Sequence, residues 1–487
     1  MAFTDAQLAE FLDQGYLNIP LSVPYSVHDE LFYSGQRVYE ASAREKDFEA
    51  RLDHIADEGL VANCPALAPI LNSPELDAAL QAVLGPQYYR YNHAFVHRAA
   101  TIDQDYHKDS HLPWSVRGAV RSHRPQWAMM FYYPQDTTVE LGATRVLPGT
   151  QYWNVDHEID GFEQGEDRLG LNAPPVPKDE SPDAADLRLA ARPLELDATC
   201  KSVALEVPKG SLLLVNFDLF HRGARRFIAG DRFMYKFWYC RTMEPRARAP
   251  IAVKSTDTRR LPVVQAVADW LTGSQYAPAP IAEAADCEAA RVATAYSKRD
   301  VAKLTTGLLD ECEAVRRPAM YGATTLGEAG IAPALEATRN KHWGVRKSGA
   351  FVLGELALDS DAVRAALLDL TLEERADLRS TATVALGRIA RAAVARGKFA
   401  AMSDFVELLA PLTQPQREPD QPKRLLPGNP VRQNAALALL SIAAEALAAQ
   451  VPDAALARLR ALAHTMAETD TDRYAAATAR EIVRRLG

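Results

Sequence analysis

Cysteine is scarce in this chain: five residues among 487, an odd number, with no two in CxxC spacing. That argues against a disulfide framework and against a thiolate zinc site, and leaves Cys64, Cys200, Cys240, Cys287 and Cys312 as expected reduced core thiols. A membrane-length hydrophobic run is also missing, since no stretch of about 18 apolar residues occurs. The opening Met-Ala-Phe-Thr-Asp lacks the basic flank and apolar stretch of a signal peptide, so a cytoplasmic protein is expected. Nor is there a surplus of positive charge. The formal net charge of −8 gives the surface as a whole no attraction for nucleic acid or an anionic membrane, and leaves open only a local basic pocket. A hydrophobic content of 48% excludes wholesale disorder, and the length is well beyond that of a common domain, so several folding units are expected.

What is present changes character partway along. Up to about residue 250 the chain carries aromatic and β-branched runs such as 203-VALEV-207, 211-SLLLVNF-217 and 233-FMYKFWYC-240, punctuated by Pro and Gly, which is a strand vocabulary. From about residue 260 the pattern turns to Ala, Leu and Arg with apolar positions three and four apart, as in 380-STATVALGRIARAAVARG-397, which reads as helix. This second half repeats itself. The segments 315-VRRPAMYGATTLGEAG-330, 345-VRKSGAFVLGELA-357, 378-LRSTATVALGRIA-390 and 431-VRQNAALALLSIA-443 share an apolar-Arg start followed by small residues. Their arginines, Arg316, Arg346, Arg379 and Arg432, fall 30, 33 and 53 residues apart. Such periods mark a helical solenoid, and the stretch resembles HEAT repeats. The small residues are read as contact points between helices and the arginines as caps or salt bridges of the stack.

The chemistry-bearing residues lie in the first half. His107 and Asp109 of 106-YHKDSH-111 are two apart, so on a strand both side chains leave the same face and can meet at one point. His221, closing the apolar run 211-SLLLVNFDLFH-221, is a third candidate arriving from another strand. His111 shares the parity of His107 and Asp109, so by spacing alone it stays an alternative ligand. Two histidines and one carboxylate leave coordination positions open, the arrangement of non-haem Fe(II) oxygenases, and iron is the favoured metal. Arg232, eleven residues after His221 at the start of the next strand, offers a planar fork for the far carboxylate of a metal-chelated keto acid such as 2-oxoglutarate.

Taken in order, His107-Lys-Asp109, Trp127, the turn Leu141-Gly-Ala-Thr-Arg-Val-Leu-Pro148-Gly149-Thr150, the run from Gly210 to His221, and Arg232 resemble the phytanoyl-CoA dioxygenase (PhyH) family of Fe(II)- and 2-oxoglutarate-dependent oxygenases. The resemblance covers roughly residues 5 to 245. It implies a double-stranded β-helix, His107, Asp109 and His221 as the catalytic iron ligands, Arg232 on the distal carboxylate of 2-oxoglutarate, and dioxygen as second cosubstrate. It also implies that Gln104 and Trp127 line the cosubstrate pocket and that His111 is a pocket residue rather than a ligand. Two departures stand out: the turn ends in Thr150-Gln151 where relatives usually carry Ser-His, and Gly223 stands where they often carry a hydroxyl. In related halogenases the carboxylate ligand is replaced by a small residue. Asp109 therefore points to hydroxylation, or to desaturation or ring closure begun by the same hydrogen abstraction, of a small organic substrate; secondary metabolism is one setting among several.

The expected protein is thus multidomain: a jelly-roll dioxygenase domain with flanking helices over residues 1–250, a helical connector over 251–314, and an all-α HEAT-like array over 315–487. Two other readings stay open, a catalytically silent scaffold built on the repeats and a cupin-type isomerase or hydrolase using another divalent metal. The array offers a surface for a protein partner or self-association, or for a carrier-borne substrate. Arg117, Arg121, Arg124, Arg145, Arg222, Arg225 and Arg226 form a local basic excess. Ordinary salt bridges are the favoured account of it, with an anionic substrate as the alternative. The acidic, Pro-rich stretch 154–200 is read as an insertion covering the site, with His157 and Glu158 facing solvent.

Overall fold

The aromatic runs of the first half become ten strands among the residues described in a computed structural model, which are 3–109, 120–153, 158, 167–168, 193–198, 200–255, 257–273, 300–414 and 430–487. They are β1 (Tyr16–Ile19), β2 (Tyr89–Arg98), β3 (His107–Lys108), β4 (Trp127–Tyr133), β5 (Arg145–Val146), β6 (Asp167–Arg168), β7 (Val203–Ala204), β8 (Ser211–Asn216), β9 (His221–Arg222) and β10 (Phe233–Cys240). One antiparallel sheet runs β1-β8-β4-β10-β2 and a second runs β6-β3-β9-β5-β7. This is the expected jelly roll.

Every residue of β4, β8 and β10 is buried, which explains why these strands read as continuous apolar runs rather than as alternating ones. The outer face of the long sheet is covered by the helix Tyr25–Arg44. There Tyr235 donates to the Leu31 carbonyl at 2.7 Å, and Phe233 meets Phe32 edge-on at 5.5 Å. The inner face carries, at period two along β10, Met234, Lys236 and Trp238, facing the short strands of the second sheet. The edge strand β2, which would otherwise present unpaired backbone groups, is packed by the helices Asp57–Asn63 and Arg473–Leu486.

The helix Leu261–Leu271, placed in the connector by sequence, packs on the first helix, Asp5–Gln14, and Arg260 just before it donates to the Pro148 carbonyl at 3.0 Å. That packing ties the helix to the jelly roll. The helix Val301–Leu308 packs on Glu313–Ala323, the first helix of the repeated array.

From there the array has two rows. The helices Glu313–Ala323, Trp343–Leu356, Ala376–Ala395, Pro430–Ala448 and Arg473–Leu486 pack in succession, each against the next. The repeated arginines explain the repeat. Arg316 donates to the carbonyls of Asp310 and Glu311, Arg346 to those of Asn340 and Lys341, and Arg379 to those of Glu373 and Glu374, all at 2.6–3.0 Å. One guanidinium per repeat thus satisfies the exposed carbonyls of the preceding turn. The loop before Arg432 lies outside the described residues, and that arginine pairs with Asp470 at 2.6 Å. Gly354 and Gly387 mark where successive helices touch: a Cβ on either would stand 2.8 and 2.7 Å from Ala385 and Ala438.

This row faces the jelly roll. Tyr321 donates to the Arg121 carbonyl at 2.7 Å, Arg391 to Glu244 at 2.6 Å, and Tyr474 to Asp57 at 2.9 Å while stacking on Tyr91. No helix among the described residues is long and apolar enough to cross a membrane. Of the cysteines, Cys64 and Cys240 are buried, with burial pushing their thiols up to about 11 and about 12. Cys312 is exposed, not a core thiol, and Cys287 lies outside the described residues.

Candidate active site

Strands β3 and β9 are neighbours in the short sheet, and their register sets His107 directly opposite His221. Asp109 follows β3 on the same parity as His107. One ligand atom from each of the three lies within 4.8 Å of the others. The ring orientation of both histidines is fixed from behind. His107 Nδ1 bonds the Asp105 carbonyl at 2.8 Å and His221 Nδ1 bonds the Leu219 carbonyl at 3.0 Å. A carbonyl only accepts, so both Nδ1 atoms carry the proton and both Nε2 lone pairs are turned inward. Those Nε2 atoms lie 3.8 and 3.5 Å from Asp109 Oδ1. Two imidazole nitrogens and one carboxylate, fixed on the wall of a buried space, are a donor set that suits ferrous iron.

Sequence reasoning overlooked a fourth group. Lys236, on the inner face of β10, sets its ammonium 2.5 Å from Asp109 Oδ2 and 3.1 Å from His221 Nε2. The rings of Phe131 and Trp238 flank it at 5.0 and 5.1 Å. Burial alone would raise the Asp109 carboxyl, but the Lys236 ammonium and then the two imidazoles outweigh it and hold the group well below the usual carboxylate range. The signal was in the sequence: a lysine inside 233-FMYKFWYC-240, a strand buried on both faces, is rare without a specific partner.

Arg232 precedes β10 on the parity of Lys236, about 13 Å along the strand at the usual rise per residue. It is 3% exposed, donates to the Gly142 carbonyl at 2.7 Å and leaves its Nε without a hydrogen bond. Among the described residues no carboxylate pairs with it. Burial pulls the pKa of this guanidinium down from its usual value. A buried cation without a counter-ion is unfavourable unless an anion joins it.

Residues 11–227 match the profile of the phytanoyl-CoA dioxygenase (PhyH) family. Over that stretch the amino-terminal region is similar to the PhyH family. Among solved structures, the chain is similar to HygX from Streptomyces hygroscopicus with iron bound, at 17% identity and a TM-score of 0.34, over 52% of this chain and 93% of that one. It is also similar to EctD from S. alaskensis with 2-oxoglutarate and 5-hydroxyectoine, at 16% identity and a TM-score of 0.35, over 49% and 77%. A third is the non-heme alpha ketoglutarate dependent carbocyclase SnoK from nogalamycin biosynthesis, at 14% identity and a TM-score of 0.33, over 50% and 85%. No curated protein sequence matches the chain.

Within the jelly roll the other residues singled out by sequence are scattered. The side chain of Gln104 accepts from the Gly223 N–H at 2.9 Å, and a Cβ at Gly223 would meet it at 2.7 Å. Gln104 thus occupies the space that a larger residue at 223 would need. Trp127 lies four residues along β4 from Phe131, between Tyr91 and Phe217, and it lines a cavity of about 70 Å³ shared with Arg388 and Arg391 of the array. It does not join the His107–Asp109–His221 group. Thr150, the departure in the turn, accepts from the Phe220 N–H at 3.2 Å and so braces the residue before His221.

The basic excess resolves into ion pairs: Arg121 with Asp218, Arg145 and Arg222 with Asp197, and Arg225 with Asp103. Arg121 also donates to the backbone carbonyl of Asp109 at 2.9 Å. His111, Arg117 and His157 lie outside the described residues, as does most of 154–200. Glu158 corrects its expectation. It does not face solvent; its carboxylate pairs with Arg316, with Lys347 at 3.9 Å, and is 10% exposed.

Proposed function

We propose that this protein is an Fe(II)- and 2-oxoglutarate-dependent dioxygenase acting on a C–H bond of a small organic substrate, with His107, Asp109 and His221 as iron ligands. The observation that carries this is the pair of imidazoles locked through Nδ1, with both Nε2 atoms turned to one carboxylate. The iron, when bound, couples oxidative decarboxylation of the keto acid, to succinate and carbon dioxide, with oxidation of the substrate. The chain's part is to hold and to shield. His107 and His221 present their Nε2 atoms, and Asp109 supplies the anionic ligand. Arg232, buried without an acidic partner, takes the distal carboxylate of 2-oxoglutarate as a bidentate pair. Phe131 and Trp238 keep water from the inner wall.

Hydroxylation is the favoured outcome, since the retained carboxylate ligand leaves no place for a halide; desaturation and cyclisation share its first step. We read the helical half as a HEAT-like array that docks on the dioxygenase domain. The reading is tested by measuring succinate formed from 2-oxoglutarate with Fe(II) by the full-length protein and by His107→Ala. Wild type should form succinate and the variant should fall by at least about a hundredfold, the scale on which loss of one essential interaction is felt. Equal turnover in the two would reject the assignment.

A further inference from the structure

This inference rests on the reading of His107, Asp109 and His221 as metal ligands and concerns what shares them. Lys236 Nζ contacts Asp109 Oδ2 at 2.5 Å and His221 Nε2 at 3.1 Å, and its side chain is 5% exposed. The rest of its surroundings include the faces of Phe131 and Trp238. Asp109, 3% exposed, would otherwise be a carboxylate buried beside two imidazoles, and such a charge is strongly unfavourable without a counter-ion. The ammonium supplies one. It does so by using the His221 nitrogen lone pair and the carboxylate that a divalent metal also requires, so the two cations compete for the same atoms.

We propose that Lys236 is an exchangeable counter-ion of the metal centre: it neutralises Asp109 while the metal is absent, and a divalent metal has to displace it to bind. Arg232, on the same strand face, does not take part, because its guanidinium is tied to the Gly142 carbonyl instead. The device keeps the jelly roll folded without metal and lowers the affinity of the ligand set below what its geometry alone would give. A lysine suits the task, since four flexible methylenes let the ammonium withdraw while the stem stays packed on aromatic rings.

The test is calorimetric titration of Mn(II) into metal-stripped full-length protein, with melting temperatures of the metal-free forms. Lys236→Met, which keeps the volume and removes the charge, is expected to bind Mn(II) at least tenfold more tightly than wild type and to melt at a lower temperature without metal. Lys236→Gln keeps a hydrogen-bond donor to Asp109 and carries the test if the methionine variant does not fold; it too should bind more tightly. Equal or weaker binding by the neutral variants overturns the exchange while leaving the ligand assignment in place. Absence of Mn(II) binding in wild type and variants alike overturns both.

Discussion

Buried arginines occur in both halves of this molecule, and their surroundings are opposite. In the array, Arg316 is 1% exposed and every nitrogen is occupied: its Nε donates to Ser348, one Nη to the Asp310 and Glu311 carbonyls, and the other pairs with Glu158. In the jelly roll, Arg232 is equally buried, yet it has one carbonyl and no acid among the described residues. The first is a structural clamp whose charge is answered inside the chain. On the proposed reading the second has its charge answered by the bound keto acid. Burial and residue type are the same, so it is the partner inventory that sets Arg232 apart from the architectural Arg316.

Substitutions can break that comparison. The largest effect is expected from Arg232→Met, which should weaken 2-oxoglutarate binding by two orders of magnitude or more, about 3 kcal/mol for a charge-assisted bidentate pair, while leaving thermal stability unchanged or raised. Isothermal titration and a melting curve read both halves of the statement. Arg316→Met should do the reverse, costing about 3 kcal/mol in denaturant unfolding because two carbonyls and the Glu158 carboxylate lose their partner, with little change in keto-acid affinity for the protein that remains folded.

A third, smaller effect concerns acid. His123 is buried against Tyr321 at 4.0 Å, and burial, then the Lys108 charge, pulls its pKa down to about 3. The folded state therefore resists a proton that the unfolded chain accepts near 6.5. Stability contributed by neutral His123 is complete above that value and is lost as the pH falls toward 3, by roughly 2 kcal/mol at pH 5. His123→Phe should flatten the fall between pH 6.5 and 5 in urea melts. The smallest effect belongs to Tyr321→Phe, which removes the hydrogen bond to the Arg121 carbonyl. It should cost about 1 kcal/mol and weaken Mn(II) binding only a few fold, through the Arg121 contact with the Asp109 backbone.

Much of this was legible in the sequence. The parity of His107 and Asp109, the run into His221 and the offset of Arg232 are local patterns, and strand geometry turns them into shared faces. The Ala-Leu-Arg repeat was legible because three of its four arginines, Arg316, Arg346 and Arg379, do one job at one offset, capping carbonyls five and six residues back. Lys236 was missed because β10 is apolar on both faces, so period two carried no contrast to say which side it faced. Glu158 was misjudged for another reason: its partners, Arg316 and Lys347, come from remote positions joined by docking of the helices. Sequence spacing holds no trace of such contacts. Trp127 was assigned to the cosubstrate pocket by resemblance alone; it lies four residues along β4 from Phe131, beside Arg388 and Arg391 of the array.

The central claim, that iron held by His107, Asp109 and His221 accepts a keto acid whose far end reaches Arg232, is tested most directly without turnover. 2-Oxoglutarate is titrated anaerobically into the Fe(II)-loaded protein while the visible spectrum is followed. The account predicts a charge-transfer band that grows to saturation in wild type, is absent in His107→Ala, and needs far more keto acid in Arg232→Met. Iron-loaded wild type that develops no band at any keto-acid concentration would contradict it.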